Sequence, residues 1–184
     1  MVYGELLSSQ MISAKLKALQ VDQAWVDARK LVITNNHHGN AVVDFEVTEK
    51  KIKQYFATYR HQLYVVPGFI SSDEKNNTTT LGRGGSDYTA AIFAAASNAT
   101  VLEIWTDVSG MMTADPRLVQ NAKPIQRISY QEAMELSHFG AKIIYPPTIQ
   151  PVMNRNIPVW IKNTCAPEEE GTLIENKSAV TDSF

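Results

Sequence analysis

The stretch "TTTLGRGGSDYTAA", Thr78 to Ala91, decides how the chain is read. Gly82, Gly84 and Gly85 leave backbone N–H groups open to a ligand. Ser86 and Asp87 then begin a helix whose first N–H groups and dipole favour an anion. Arg83 adds a cation that can grip a carboxylate or a phosphate through two hydrogen bonds. No Lys-Ser/Thr follows the glycines, so this is not a Walker A loop. Asp87 stands where a dinucleotide fingerprint would have its third glycine. The loop therefore cradles a phosphate, cradles a carboxylate, or is a flexible lead-in to an ordinary capped helix. Asp87 is the odd member, because an acid beside an anion site is unfavourable unless a cation stands between them. It orients a catalytic lysine, sits near Mg²⁺, or is simply a first-turn acid stabilised by the helix dipole.

Outward from this loop, helical and strand patterns alternate. Leu7, Met11, Ile12 and Leu16 mark a helix over Gly4 to Ala18. Ala24 to Val26 and Leu31 to Ile33 are short apolar runs of the kind buried strands make. A helix follows over Val47 to Tyr59, with Thr48 as its expected N-cap and Ile52, Tyr55, Phe56 and Tyr59 as its apolar stripe. Leu63 to Ile70 reads as a strand ending in a Pro-Gly break, and Ser71 to Asn77 as a polar surface loop. Asp87 to Ala96 is a helix of small residues, followed by a strand over Val101 to Trp105. Val108 to Pro124 is mostly loop. Ser129 to Phe139 is a helix with Glu132 at the capping-box offset and Gly140 as its stop. Pro147 to Met153 is a short helix, Ile157 to Asn163 a last strand, and 175–184 a linker. Alternation of continuous apolar strands with helices is the pattern of an α/β fold with a mostly parallel sheet covered on both faces. Ligands of such sheets gather beyond the carboxyl ends of the strands.

Composition narrows the function. With 184 residues, one domain is the default. A net charge of −2 and the lack of a Lys/Arg run exclude a nucleic-acid footprint. The apolar runs are too short to span a membrane. Cys165 stands alone, which excludes a disulfide framework and a cysteine metal cluster and fits a reducing compartment. Met1 is followed by Val-Tyr-Gly-Glu rather than a signal peptide, so the cytoplasm is the expected location.

Two further stretches carry candidate chemistry. In "EIWTDVSGMMTADPR", Glu103 to Arg117, Thr106 and Asp107 lie just past a strand end, and Asp115-Pro116 fixes a turn that presents Arg117. Such a set suits a nucleotide, or is a solvated surface loop. In "ELSHFGAKIIYPP", Glu135 to Pro147, Lys142 follows the Gly140 helix stop. It reaches a phosphate as a point charge, or snorkels at the surface. His37 and His38 sit in a polar turn with no third ligand at metal spacing. Trp25, Trp105 and Trp160 are expected in the core.

Taken together and in this order, the three loops, followed by "IPVWIKNT" and "GTLI", resemble the catalytic domain of aspartate kinases, in the amino-acid-kinase superfamily. The resemblance covers nearly the whole chain, from Gly4-Glu5 to Ile174. "SYQEAMELSHFGAK" and "IKNT" look most like the bifunctional aspartokinase–homoserine dehydrogenases. The resemblance implies a three-layer αβα sandwich, here incomplete, over residues 1–174. It implies phosphoryl transfer from ATP, with Mg²⁺, to L-aspartate, the first step toward lysine, threonine and methionine, in a homodimer or higher homo-oligomer. By resemblance, Arg83, Gly84, Gly85 and Ser86 hold the aspartate carboxylates, and Glu5 takes its amino group. Asp87 orients the catalytic lysines. Thr106, Asp107, Met112, Arg117 and Lys142 bind ATP, with Lys142 near its phosphates.

The sequence also departs from the family. Met112 stands where many members have tyrosine, and Tyr145 where a histidine is frequent. The Lys-Phe-Gly-Gly loop of the family's first strand is not found in this sequence, nor are its regulatory domains. The chain is therefore expected to be a piece of a longer enzyme, with little kinase activity of its own. Kinases acting on glutamate or acetylglutamate, and a non-catalytic amino-acid or nucleotide sensor, are the alternatives.

Overall fold

The computed structural model describes residues 2–114, 118–139 and 144–176. Two compact units divide at Ser97 and Asn98, and each is taken by itself.

In the first unit, α1 (Val2–Ala18) leads to β1 (Gln23–Trp25) and β2 (Ile33–Thr34), then α2 (Phe45–Thr58), β3 (Leu63–Val65), β4 (Ile70–Asp73), β5 (Thr78–Thr80) and α3 (Gly85–Ser97). β1 pairs with β3 in parallel, β2 with β4 in parallel, and β4 with β5 antiparallel. The core gathers Val26, Val32, Val43, Ile52, Leu81 and Ile92, with Phe56, Tyr64 and Phe93 packed against it. Ala91, Ala94, Ala95 and Ala96 are buried on α3, whose small side chains allow a close approach.

Three expectations are corrected here. The N-cap of α2 is Asp44, whose Oδ1 accepts from the Val47 N–H at 3.1 Å. Thr48 is instead fully buried, and its Oγ1 accepts from the Ile33 N–H at 3.0 Å, tying α2 to β2. Residues 71–73, expected in a surface loop over Ser71 to Asn77, instead belong to the wholly buried strand β4. Hydroxyl pairing compensates its polarity: Ser71 Oγ lies 2.8 Å from Thr79 Oγ1, and Ser72 Oγ donates to the Arg29 carbonyl at 2.6 Å. Asp73 closes the following turn by accepting from the Lys75 and Asn77 amides and the Asn77 side chain. The side-chain bond from Asn77 is the main reason its carboxyl lies below the usual value. On α1 the apolar stripe faces outward. Ser9 and Ser13 are buried, bonding Trp25 and Gln23, while Leu7, Met11 and Ile12 are exposed.

The second unit contains β6 (Leu102–Thr106), β7 (Arg127–Ser129), α4 (Tyr130–Phe139), α5 (Gln150–Met153), β8 (Val159–Asn163) and β9 (Thr172–Glu175). Its sheet runs β6-β8-β9-β7, with β6–β8 and β7–β9 parallel and β8–β9 antiparallel. The capping box at α4 forms as its spacing predicts. Glu132 Oε2 accepts from the Ser129 N–H at 2.8 Å, and Ser129 Oγ accepts from the Glu132 N–H at 3.2 Å. The tryptophans are not core residues. Trp105 is 44% exposed, and the Lys162 ammonium lies 5.1 Å from its ring centre and 5.9 Å from that of Trp160. Trp25 is half-buried and donates to Ser9 Oγ. No helix among the described residues is long and apolar enough to cross a membrane.

The roles of Asp44 and Thr48 separate by mutation. Thr48→Val strands a buried amide and should cost about 1–3 kcal/mol, with Thr48→Ser near wild type. Asp44→Ala should cost about 1 kcal/mol. Urea unfolding of the three variants measures both; a silent Thr48→Val contradicts the assignment.

Candidate active site

The first unit builds a candidate site around the loop that precedes α3. Gly82 (φ +77°) and Gly84 (φ +68°) take the left-handed conformation that lets the chain turn sharply into the helix. At Gly82 a side chain would also meet Asn40 Oδ1 at 2.8 Å, so the polar turn holding His37 and His38 closes against the loop. α3 begins at Gly85, and the Ser86 and Asp87 amides fall in its first turn, where N–H groups have no acceptor within the helix. Arg83 and Ser86 are exposed, Asp87 is half-buried, and Gly85 is buried.

A second loop, Pro67-Gly68-Phe69, packs against this turn. A Cβ at Gly85 would come within 2.6 Å of the Phe69 Cβ, and one at Gly68 within 2.8 Å of Ser86 Oγ. The Gly68 N–H donates to Glu5 Oε1 at 2.9 Å. Glu5 on α1 and Ser86 on α3, far apart in sequence, therefore meet on either side of Gly68. The structure thus brings Glu5, Arg83, Gly84, Gly85, Ser86 and Asp87 together within the first unit. It offers a carboxylate, and beside it a cation with helix N–H groups open to an anion. Burial pushes the Asp87 carboxyl above its ordinary value of 3.8. An ionised Asp87 thus gains from any cation brought beside it.

The second unit carries the other candidates at the end of β6. Thr106 Oγ1 donates to Asp107 Oδ1 at 3.1 Å, and the Thr106 carbonyl accepts from the Thr164 N–H at 2.8 Å. The following loop is tied down rather than loose. Met112 bridges Pro124, the Ile125 N–H donates to the Met111 carbonyl, and the Thr113 N–H to that of Lys123. Gly110 (φ +106°) lies so close to Thr172 Oγ1 that no side chain fits there. Thr172 Oγ1 accepts from the Met111 N–H at 2.7 Å and donates to the Ile125 carbonyl at 2.6 Å. Asn163 donates to Ser109 Oγ at 2.8 Å, fastening the start of the loop to β8. Thr106, Asp107 and Met112 therefore sit on an anchored loop at a strand's carboxyl end. Arg117 and Lys142 lie outside the described residues, as does the Gly140 helix stop.

Sequence reasoning missed Gly68, Phe69 and Thr172. Their signals were a glycine after a proline inside an apolar run, and a threonine after a glycine in "GTLI". The first reads as a strand break, and the second only as part of a family motif.

The sequence matches the Amino acid kinase family over residues 1–163, and the chain belongs to that family. Over 177 residues it is 42% identical to lysine-sensitive aspartokinase 3 of Escherichia coli (strain K12), covering 96% of this chain and 39% of that protein. It is also 42% identical to the chloroplastic bifunctional aspartokinase/homoserine dehydrogenase 2 of Arabidopsis thaliana, over 94% of this chain and 19% of that one. The crystal structure of E. coli aspartokinase III with aspartate and ADP superposes at a TM-score of 0.90 and 39% identity. That match covers 97% of this chain and 40% of the other. The chain thus spans two fifths or less of the length of these relatives.

Burial of Asp87 has a measurable consequence. Its raised value favours the neutral carboxyl in the fold, so wild-type stability falls as pH rises from the ordinary carboxylate value through the raised one. Asp87→Asn should therefore melt at or above the wild-type temperature at pH 7, with the difference vanishing below about pH 4. Thermal melts across that range test this, and an Asn variant less stable only at neutral pH contradicts it.

Proposed function

We propose that this chain is the greater part of an aspartate kinase catalytic domain. The reaction moves the γ-phosphoryl group of ATP to the side-chain carboxylate of L-aspartate, giving 4-phospho-L-aspartate and ADP. One observation carries this reading. Gly68 bonds Glu5 and packs against Ser86, so an acid able to take an amino group stands beside an anion cradle. The likeness to an aspartokinase crystallised with aspartate and ADP supports it.

In this reading Arg83 grips a carboxylate in a two-pronged contact, while Gly84, Gly85 and Ser86 offer N–H groups and a hydroxyl. Glu5 accepts from the ammonium group. Thr106, Asp107 and Met112 bind the nucleotide, joined by Arg117 and Lys142, with Lys142 at its phosphates. Asp87 orients the lysine charge. Transfer between two anions calls for positioning and charge compensation, with little covalent chemistry from the protein. No group of three or more His, Cys, Asp or Glu among the described residues is arranged to hold a metal ion. Mg²⁺ would come with the nucleotide, and Asp87 is the carboxylate that would help hold it. Bound there, it would neutralise phosphate charge. We place the enzyme in the cytoplasm, at the head of lysine, threonine and methionine synthesis, and as a homo-oligomer.

ATP-dependent formation of aspartyl hydroxamate tests the reading. The complete protein should use aspartate, and much less readily glutamate or N-acetylglutamate; a preference for either of those moves it to another amino-acid kinase. Aspartate binding without turnover makes it a sensor. The 184-residue chain alone should be about 10²–10³-fold slower, since the phosphate-binding lysine of a Lys-Phe-Gly-Gly loop is not in it. Arg83→Ala in the complete protein should lower kcat/KM for aspartate about 10²-fold and leave the KM for ATP nearly unchanged.

A further inference from the structure

One buried hydroxyl, that of Thr89, ties the Gly68–Phe69 loop to the start of α3. Phe69 has φ +51°, and the Ile70 N–H donates to the Gly68 carbonyl at 2.8 Å. Together these close a three-residue γ-turn in the rare, strained positive-φ form. Such a conformation persists only where the surroundings over-determine it, and it concentrates at binding sites. Here the surroundings do so. The Phe69 carbonyl accepts from the Leu81 N–H at 3.0 Å, and the Gly68 N–H is taken by Glu5. The Phe69 N–H donates to Thr89 Oγ1 at 3.0 Å, and that same hydroxyl donates to the Gly85 carbonyl at 2.8 Å.

Threonines in helices often bond the carbonyl one turn back. That habit accounts for the bond to Gly85 but not for the amide that Thr89 receives from another loop. Thr89 is buried on α3, one turn below the anion cradle, and is too enclosed to touch a substrate in the cradle itself. Its hydroxyl links the strained turn to the first residue of the helix. Both neighbours of that link are in close contact, Gly68 with Ser86 and Gly85 with Phe69. The height of the turn therefore sets where Ser86 and Glu5 stand relative to each other.

We propose that Thr89 is a positioning residue for the acceptor amino acid, holding the Gly68–Phe69 turn so that Glu5 and Ser86 engage one substrate molecule. The proposal rests on the aspartate kinase reading of this site. It places part of the acceptor specificity in a hydroxyl that the substrate does not touch.

Thr89→Val removes the hydroxyl at nearly constant volume, and Thr89→Ser restores it. In the complete enzyme, Thr89→Val should raise the KM for aspartate about tenfold or more, with the KM for ATP within about twofold. Thr89→Ser should stay within about threefold of wild type for both. In parallel, hydrogen exchange at the Phe69 amide should quicken in Thr89→Val and not in Thr89→Ser. If Thr89→Val does not fold, Thr89→Ala gives the same readouts. Equal rises in both KM values, or a drop in melting temperature with the KM for aspartate unchanged, would overturn the proposal. Failure of the kinase reading looks different: the unaltered enzyme then makes no ADP in response to aspartate. The exchange at Phe69 still decides whether Thr89 holds the turn, and unchanged exchange there refutes it.

Discussion

The hydrogen bond from the Gly68 amide to Glu5 is the contact on which the arrangement around the glycine loop depends. It joins α1 to the loop before β4, and that loop is pressed against the first turn of α3 with no room for a side chain at Gly68 or Gly85. Three segments remote in sequence thereby share one small volume. The anion cradle gains from this a rigid floor and an acid at a fixed place. In the proposed transfer between two anions, such preorganisation is most of what the protein can supply.

The same economy recurs in the second unit. There the hydroxyl of Thr172 holds both sides of the loop that follows β6, through Met111 and Ile125, and Gly110 lets it approach. In each unit a buried threonine converts what would be a mobile loop into a fixed one. Polar residues are thus spent inside the fold at little net cost, because each hydroxyl both gives and receives. The buried strand Ile70–Asp73 likewise meets its polar needs through hydroxyl contacts to Thr79, Thr34 and the Arg29 carbonyl.

Legibility in the sequence followed the same division. Elements stabilised by apolar burial and capping were readable: α3 with its alanines, β6, β8, and α4 with its Ser129–Glu132 box. Elements stabilised by hydroxyl pairing were not. Residues 71–73 look like a surface loop because polarity is all that periodicity sees, and Thr48 looks like a cap because caps are the usual place for threonine before a helical stripe. The outward-facing Leu7, Met11 and Ile12 show the converse, since an apolar stripe does not state which face the fold buries. The site loops were legible as a set of motifs. Their linkage through Gly68 and Phe69 was not, since it depends on a close approach that residue types do not announce.

Chemical-shift mapping tests the central claim most directly. In labelled complete protein, L-aspartate should move the amide resonances of Gly68, Gly84, Gly85 and Ser86, and ADP with Mg²⁺ those of Thr106 and Asp107. Aspartate shifts confined to Thr106 and Asp107, or shifts at neither set of amides, would contradict the assignment of the glycine loop to the acceptor.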